Sequence, residues 1–128
     1  MIVGLGMDLV EVVRIQKALE RHGDRFLHRV FTDAELAYCT GRGVQRDESL
    51  AARFAAKEAS WKALGVPPAL RFTDMEVLAA GQGQPPRMSF TRLAREAADA
   101  MGVTSSLVTM THGGGVAAAT VILQGRDA

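Results

Sequence analysis

Residues 48–65, ESLAARFAAKEASWKALG, decide how the rest of the chain is read. They form the longest helical run, stopped at Gly65 with Pro67 and Pro68 beyond, a clear C-terminal signal. At about 100° per residue, Leu50, Phe54, Trp61 and Leu64 fall in one stripe, the expected buried face. Lys57 lies inside that stripe. An ammonium is costly to bury unpaired, although its head can also run past an apolar surface. Glu58 and Lys62 sit one turn apart on the flank. That is the spacing of a common surface salt bridge, worth about 0.3–0.5 kcal/mol, and equally a place for chemistry.

Upstream, residues 2–10 alternate as a strand does. Val3, Leu5, Met7 and Leu9 face one way; Ile2, Gly4, Gly6 and Asp8 face the other. Two glycines on one face weaken a strand and point to close packing against its backbone, either by a helix or at a site. Asp8 ends that bare face and favours a site. Residues 11–22 read as a helix with an apolar stripe of Val12, Ile15 and Leu19 and an opposite side of Arg14, Ala18 and Arg21. After Gly23 a second helical segment carries Arg25, Phe26 and Arg29, and Thr32 with Glu35 has capping-box spacing for a third. Residues 41–47 form a basic loop containing Arg42 and Arg46.

Downstream, residues 72–80 and 85–90 read as strands around a turn at 81–84. Residues 91–101 form an alanine-rich helix, and 106–111 with 116–123 a hairpin across Gly113, Gly114 and Gly115. The order β, helices, ββ, α, ββ defines an α+β fold: a mostly antiparallel sheet on one long helix with several shorter ones.

Composition bounds the function. A chain of 128 residues, 48% hydrophobic and 23% charged, is expected to be one globular domain over 1–128. Aromatics are only 5%, so the core is aliphatic, and a core this small is often reinforced by oligomerisation. Fifteen basic residues stand against 14 acidic ones, which gives no global sign of nucleic-acid binding. Cys39 is alone, which excludes an intramolecular disulfide and a cysteine-rich zinc site. No apolar stretch approaches the roughly 20 residues of a membrane helix. The N-terminus lacks the basic start of a signal peptide, so a cytoplasmic setting is expected.

Several residues are candidates for chemistry. Asp8 and Glu58 could share a magnesium ion, which takes one or two protein carboxylates and fills its other positions with water and phosphates. The glycine-rich pieces match no phosphate-binding loop and fit hairpin turns. His112 ends a strand as a structural histidine or as a reach toward an anion. From Arg14 to Arg29, five basic residues stand against two acids. That face is either solvated or steers an acidic partner; without interleaved aromatics, an acidic protein suits it better than single-stranded nucleic acid.

Taken together, these residues resemble the holo-acyl-carrier-protein synthases. Gly-Leu-Gly-Met-Asp-Leu-Val-Glu at residues 4–11, followed by Arg14, is similar to the opening motif of that family. Ala-Arg-Phe-Ala-Ala-Lys-Glu-Ala-Ser-Trp-Lys-Ala-Leu-Gly at 52–65 is similar to its most diagnostic motif. The Gly83–Gln84–Pro85 turn and the strand end Thr111–His112 match later landmarks in order. The resemblance implies a magnesium-dependent transfer of 4′-phosphopantetheine from coenzyme A to a serine of apo acyl carrier protein, serving fatty acid biosynthesis. It implies Asp8 and Glu58 as magnesium ligands and Lys62 at the diphosphate. Arg53, Gly65, Pro85 and His112 would lie along the coenzyme A site. Arg14, Arg21, Arg25, Phe26 and Arg29 would dock the carrier protein. It also implies a homotrimer with sites at subunit interfaces. Gly113 stands where some relatives carry an acid, so no role for that acid carries over. Two other functions use the same features: a magnesium-dependent hydrolase of nucleotide diphosphates, and a non-enzymatic module that binds acidic proteins.

Overall fold

The computed structural model describes residues 1–81 and 83–126. β1 (Ile2–Glu11) leads into α1 (Val12–His22), α2 (Asp24–Val30), α3 (Asp33–Thr40) and α4 (Arg46–Ala63). Then come β2 (Met75–Leu78), β3 (Arg87–Phe90), α5 (Arg92–Ala100), β4 (Val103–Gly113) and β5 (Val116–Gly125). The strands form two antiparallel sheets, one ordered β1-β5-β4 and one pairing β2 with β3. This is the α+β arrangement the sequence predicts. The β4–β5 hairpin closes over Gly114 and Gly115 with φ of 61° and 83°. A two-residue turn of this hand needs left-handed backbone at both positions, which glycine adopts freely.

Some boundaries shift from the expected ones. A 3₁₀ turn at Gly43–Gln45 runs straight into α4, so the helix starts at Arg46 and absorbs the end of the expected loop. The strand expected over 72–80 shrinks to β2. Phe72–Asp74 instead form a 3₁₀ turn, fixed by the Arg71 N–H donating to the Asp74 carboxylate at 3.0 Å. In the turn expected at 81–84, Gly81 and Gln84 bridge one another, while Gln82 lies outside the described residues. The Thr32–Glu35 capping box forms as predicted at the start of α3.

The bare face of β1 is the inner one. A Cβ at Gly4 would run into the Ala63 carbonyl, and one at Gly6 into that of Ala59. Ala55, Ala56, Ala59 and Ala63 of α4 are all buried. Small residues on both sides of this seam let helix and strand backbones approach closely. The apolar face of β1 points the other way: Leu5, Met7 and Leu9 are 61–67% exposed. They stand in register beside Ile122, Thr120 and Ala118 of β5, and β4 continues the rows with Leu107, Thr109 and Thr111. The three-stranded sheet therefore carries an open, largely apolar outer face.

The long helix is buried almost all round, with every residue from Ser49 to Lys57 out of solvent. Trp61 departs from its expected place in the buried stripe and remains 37% exposed. The chain after α4 doubles back, and the indole N–H donates to the Pro67 carbonyl at 2.9 Å. Lys57 does not run past the stripe to solvent; it is wholly buried, 2.7 Å from Glu35.

Candidate active site

Asp8, at the end of the bare face of β1, meets the last turns of α4. Lys62 Nζ lies 3.0 Å from Asp8 Oδ1 and donates to the Met7 carbonyl at 3.1 Å. Lys62 thus reaches across to β1 rather than pairing along the helix with Glu58. Glu58, half-buried one turn earlier, has its carboxyl pushed above the usual range. Burial is the main cause, and the neighbouring Asp8 charge comes next, while Arg14 and Lys62 pull the other way. The Arg14 guanidinium stands 5.3 Å over the Phe54 ring. Three elements therefore bring two carboxylates, an ammonium and a guanidinium together. Such a set can hold a divalent cation and the phosphates it binds.

Beside Glu58 opens a cleft of about 250 Å³, lined also by Trp61, Pro67, Leu70, Phe72 and Met75. Glu58 is the single charged residue of that lining. One wall is the loop after α4, where Val66 and Ala69 hold φ of 58° and 63°. Positive φ is costly for side-chain-bearing residues, above all β-branched ones, and such strain concentrates where a loop must keep a set shape. Sequence reasoning missed this cleft. Its one signal was a tryptophan followed by a proline pair.

A second cavity of about 180 Å³ gathers Tyr38, Arg42, Ser49, Arg53, Pro86 and His112. Arg53 is buried, stacks its guanidinium 4.2 Å over the Tyr38 ring and donates to the Ser49 carbonyl at 3.5 Å. His112 Nδ1 lies 2.7 Å from Glu48 Oε2, a contact the sequence did not reveal. Two guanidinium groups and an imidazole make this cavity suited to an anion. It contains none of Asp8, Glu58 or Lys62. Along α4, Arg53 and Lys62 stand about 14 Å apart at 1.5 Å per residue, and Gly65 follows just beyond the helix end. The residues expected to line a coenzyme A site are therefore split. Arg53 and His112 lie toward one end of the helix and Lys62 and Gly65 at the other. Pro86, not the exposed Pro85, lines the basic cavity.

The basic face is present. A groove of about 580 Å³ between β1 and α1 is lined by Leu9, Arg14, Lys17 and Arg21, and Arg25 and Arg29 are exposed on α2. None of Arg14, Arg21, Arg25 and Arg29 is ion-paired among the described residues. Phe26 is half-buried, its ring edge-on to Phe31 at 6.1 Å, so it anchors α2 more than it projects from it. Among the described residues no helix is long and apolar enough to cross a membrane.

Comparison with known proteins places the chain in a family. Residues 4–118 match the family model of the 4′-phosphopantetheinyl transferase superfamily. The chain is 50% identical over 128 residues to the holo-[acyl-carrier-protein] synthase of Anaeromyxobacter dehalogenans (strain 2CP-C), covering 98% of each. It is similar in structure to the Plasmodium yoelii holo-ACP synthase, with a TM-score of 0.83 and 26% identity over 99% of this chain and 98% of that one. The Helicobacter pylori holo-[acyl-carrier-protein] synthase, solved with coenzyme A, gives a TM-score of 0.79 and 29% identity over 94% and 99%. Sequence, fold and a converging acidic pair lead to one assignment: this chain belongs to the 4′-phosphopantetheinyl transferase superfamily.

Proposed function

We propose that this protein is a holo-acyl-carrier-protein synthase. It moves 4′-phosphopantetheine from coenzyme A to a serine of apo acyl carrier protein and releases adenosine 3′,5′-bisphosphate, serving fatty acid biosynthesis in the cytoplasm. The observation that carries this reading is the meeting of Asp8, Glu58 and Lys62 beside an apolar cleft. The full-length likeness to a synthase of that name supports the substrate pair, and the coenzyme A bound by the H. pylori relative supports the donor.

The chemistry follows from charge. The serine oxygen attacks a phosphorus that already bears negative oxygens; the bond to the departing bisphosphate breaks, and the hydroxyl proton leaves to solvent. Lys62 is half-exposed, and its exchange of Asp8 for a phosphate oxygen would neutralise charge building on the leaving side. Asp8 and Glu58 would hold a magnesium ion: burial first and the Asp8 charge second raise the Glu58 carboxyl, and a divalent cation would offset the repulsion part of that shift. Bound there, magnesium would supply charge neutralisation across the diphosphate. The apolar cleft suits the pantetheine arm, which is long, narrow and uncharged, and its walls would hold the reacting phosphorus in line. The nucleophile comes from the carrier protein, so no activated serine or cysteine is needed here.

The basic cavity of Arg53 and His112 suits the nucleotide phosphates, yet it lies away from the acidic pair of the same chain. A homotrimer with sites between subunits reconciles the two, each copy lending its cavity to a neighbour's acidic pair. The open outer face of the three-stranded sheet supports such an assembly. The free arginines of α1 and α2 suit the acidic helix of a carrier protein.

Mass spectrometry of apo carrier protein incubated with the enzyme, coenzyme A and magnesium tests the reading. The carrier should gain one phosphopantetheine group. Coenzyme A cleaved with no gain on the carrier would make the protein a hydrolase and overturn the proposal.

A further inference from the structure

Lys57 adjoins Glu58 in sequence but points away from the site into the interior, where Glu35 and Lys57 have no exposed side-chain surface. The ammonium has three protons and three acceptors: Glu35 Oε1 at 2.7 Å, the Met75 carbonyl at 2.7 Å and the Phe72 carbonyl at 3.1 Å. The Glu35 carboxylate also accepts the N–H of Thr32 at 2.9 Å and of Val77 at 2.8 Å. One buried pair thus ties together α3, α4, the 3₁₀ turn and β2. Burial pushes the Lys57 ammonium down, and the Glu35 charge holds it up.

Buried ion pairs seldom stabilise a fold more than apolar residues of the same volume would. The position of these atoms shows another use. Phe72 and Met75, whose carbonyls Lys57 holds, are walls of the cleft beside Glu58, and Trp61 stands one turn further along the same helix. Among the described residues, no side-chain hydrogen bond but those of the ammonium fixes the 3₁₀ turn and β2 against α4 at that point. Without them the cleft would lose its set width.

We propose that the Lys57–Glu35 pair is a positioning device that sets the width of the pantetheine cleft next to Glu58. This rests on the reading of that cleft given above. The pair touches no substrate; it acts through the Phe72–Met75 wall.

The test compares two ligands. Coenzyme A carries the pantetheine arm, and adenosine 3′,5′-bisphosphate has the nucleotide half without it. Affinities for both are measured by calorimetry on wild type and on the volume-conserving double variant Lys57→Met/Glu35→Gln. Lys57→Arg, which keeps the charge but not the three-way geometry, provides a second folded protein. Melting curves establish that each variant is folded. The fluorescence of Trp61, the chain's one tryptophan, reports the cleft directly. The expected result is a loss of about tenfold or more in coenzyme A affinity, with the bisphosphate bound as by wild type. Parallel losses for both ligands would make the pair a structural tie and overturn the proposal, as would unchanged affinities. A wild-type Trp61 signal that ignores coenzyme A would overturn the cleft assignment itself, and the proposal with it. Failure of the carrier protein to gain mass would instead refute the transferase reading while leaving the coenzyme A comparison intact.

Discussion

Replacing Gly6 by alanine adds one carbon at the seam between β1 and α4, directly against the Ala59 carbonyl. That neighbour is helix backbone, not a flexible side chain, so the helix or the strand must move. Overpacking of this kind costs about 1–3 kcal/mol, or roughly 3–15 °C of melting temperature for a chain this size. The larger effect falls on chemistry. Asp8 lies two residues further along β1, and Glu58 and Lys62 flank Ala59 on α4. Opening the seam therefore separates the acidic pair, and a misplacement of about 1 Å is worth some 100-fold in rate. Steady-state transfer and thermal melting of Gly6→Ala should show both losses. Gly81→Ala is the control, since its added carbon meets nothing within 4 Å and its φ is unstrained. It should melt and turn over as wild type. A Gly6→Ala protein with wild-type rate and melting would mean that the close approach does not set the distance between the carboxylates.

Asp8→Ala and Glu58→Ala should each cut transfer by about 100-fold or more while leaving melting nearly unchanged, because a pair whose Lys62 head reaches solvent contributes only about 0–1 kcal/mol. Near-normal turnover at limiting magnesium would remove both from the metal site. Arg21→Glu should raise the carrier-protein KM and leave coenzyme A affinity alone, and added salt should raise the wild-type KM as exposed charges are screened beyond about 10 Å at 0.1 M; equal losses for both substrates would refute a docking role. Met7→Glu places a charge on the open sheet face and should reduce the mass seen by light scattering from trimer to monomer, whereas a wild type that is already monomeric refutes the assembly. Burial pushes the Cys39 thiol up to about 11, so roughly one molecule in a thousand carries the thiolate at pH 8. Iodoacetamide should leave the native protein unlabelled and modify it in denaturant, and rapid native labelling would contradict that burial.

Local signals in the sequence are legible where the physics is local. The Thr32–Glu35 box, the glycine stop of the long helix and the Gly114–Gly115 turn depend on residues a few positions apart. The close approach at Gly4 and Gly6 is legible too, although its partners Ala63 and Ala59 are distant, since absent side chains on one face imply a near neighbour. What escaped was set by distant partners. Lys57 stood out in the apolar stripe, but its acceptors are a carboxylate on α3 and two carbonyls beyond α4. Periodicity could not show that Lys62 would choose Asp8 over Glu58, because the choice depends on how far β1 sits from the helix. Periodicity also puts Trp61 in the core, whereas it lies on the rim of the cleft and remains partly exposed. The converging pair Asp8 and Glu58 came from the family resemblance; spacing alone left it open.

The pairing of β1 with β5 also governs how this chain must be made. Gly4 finds its ladder partner in Leu123 and Glu11 in Val116, so the earliest strand waits for the latest one. During synthesis, helices α1 to α4 leave the ribosome with close contacts available, while β1 has no strand to pair with. Loop closure over that span opposes early pairing and slows folding. Until β5 emerges, Leu5, Met7 and Leu9 face water on a strand with both edges free, the condition in which nascent chains stick to one another or to chaperones. The hairpin β4–β5, fast to form across its glycine turn, then acts as a template that captures β1 and fixes Asp8 at its post. The acidic pair is therefore among the last features to exist, and a ribosome stalled before Val116 would carry a chain with helices but with Asp8 not yet held beside Glu58.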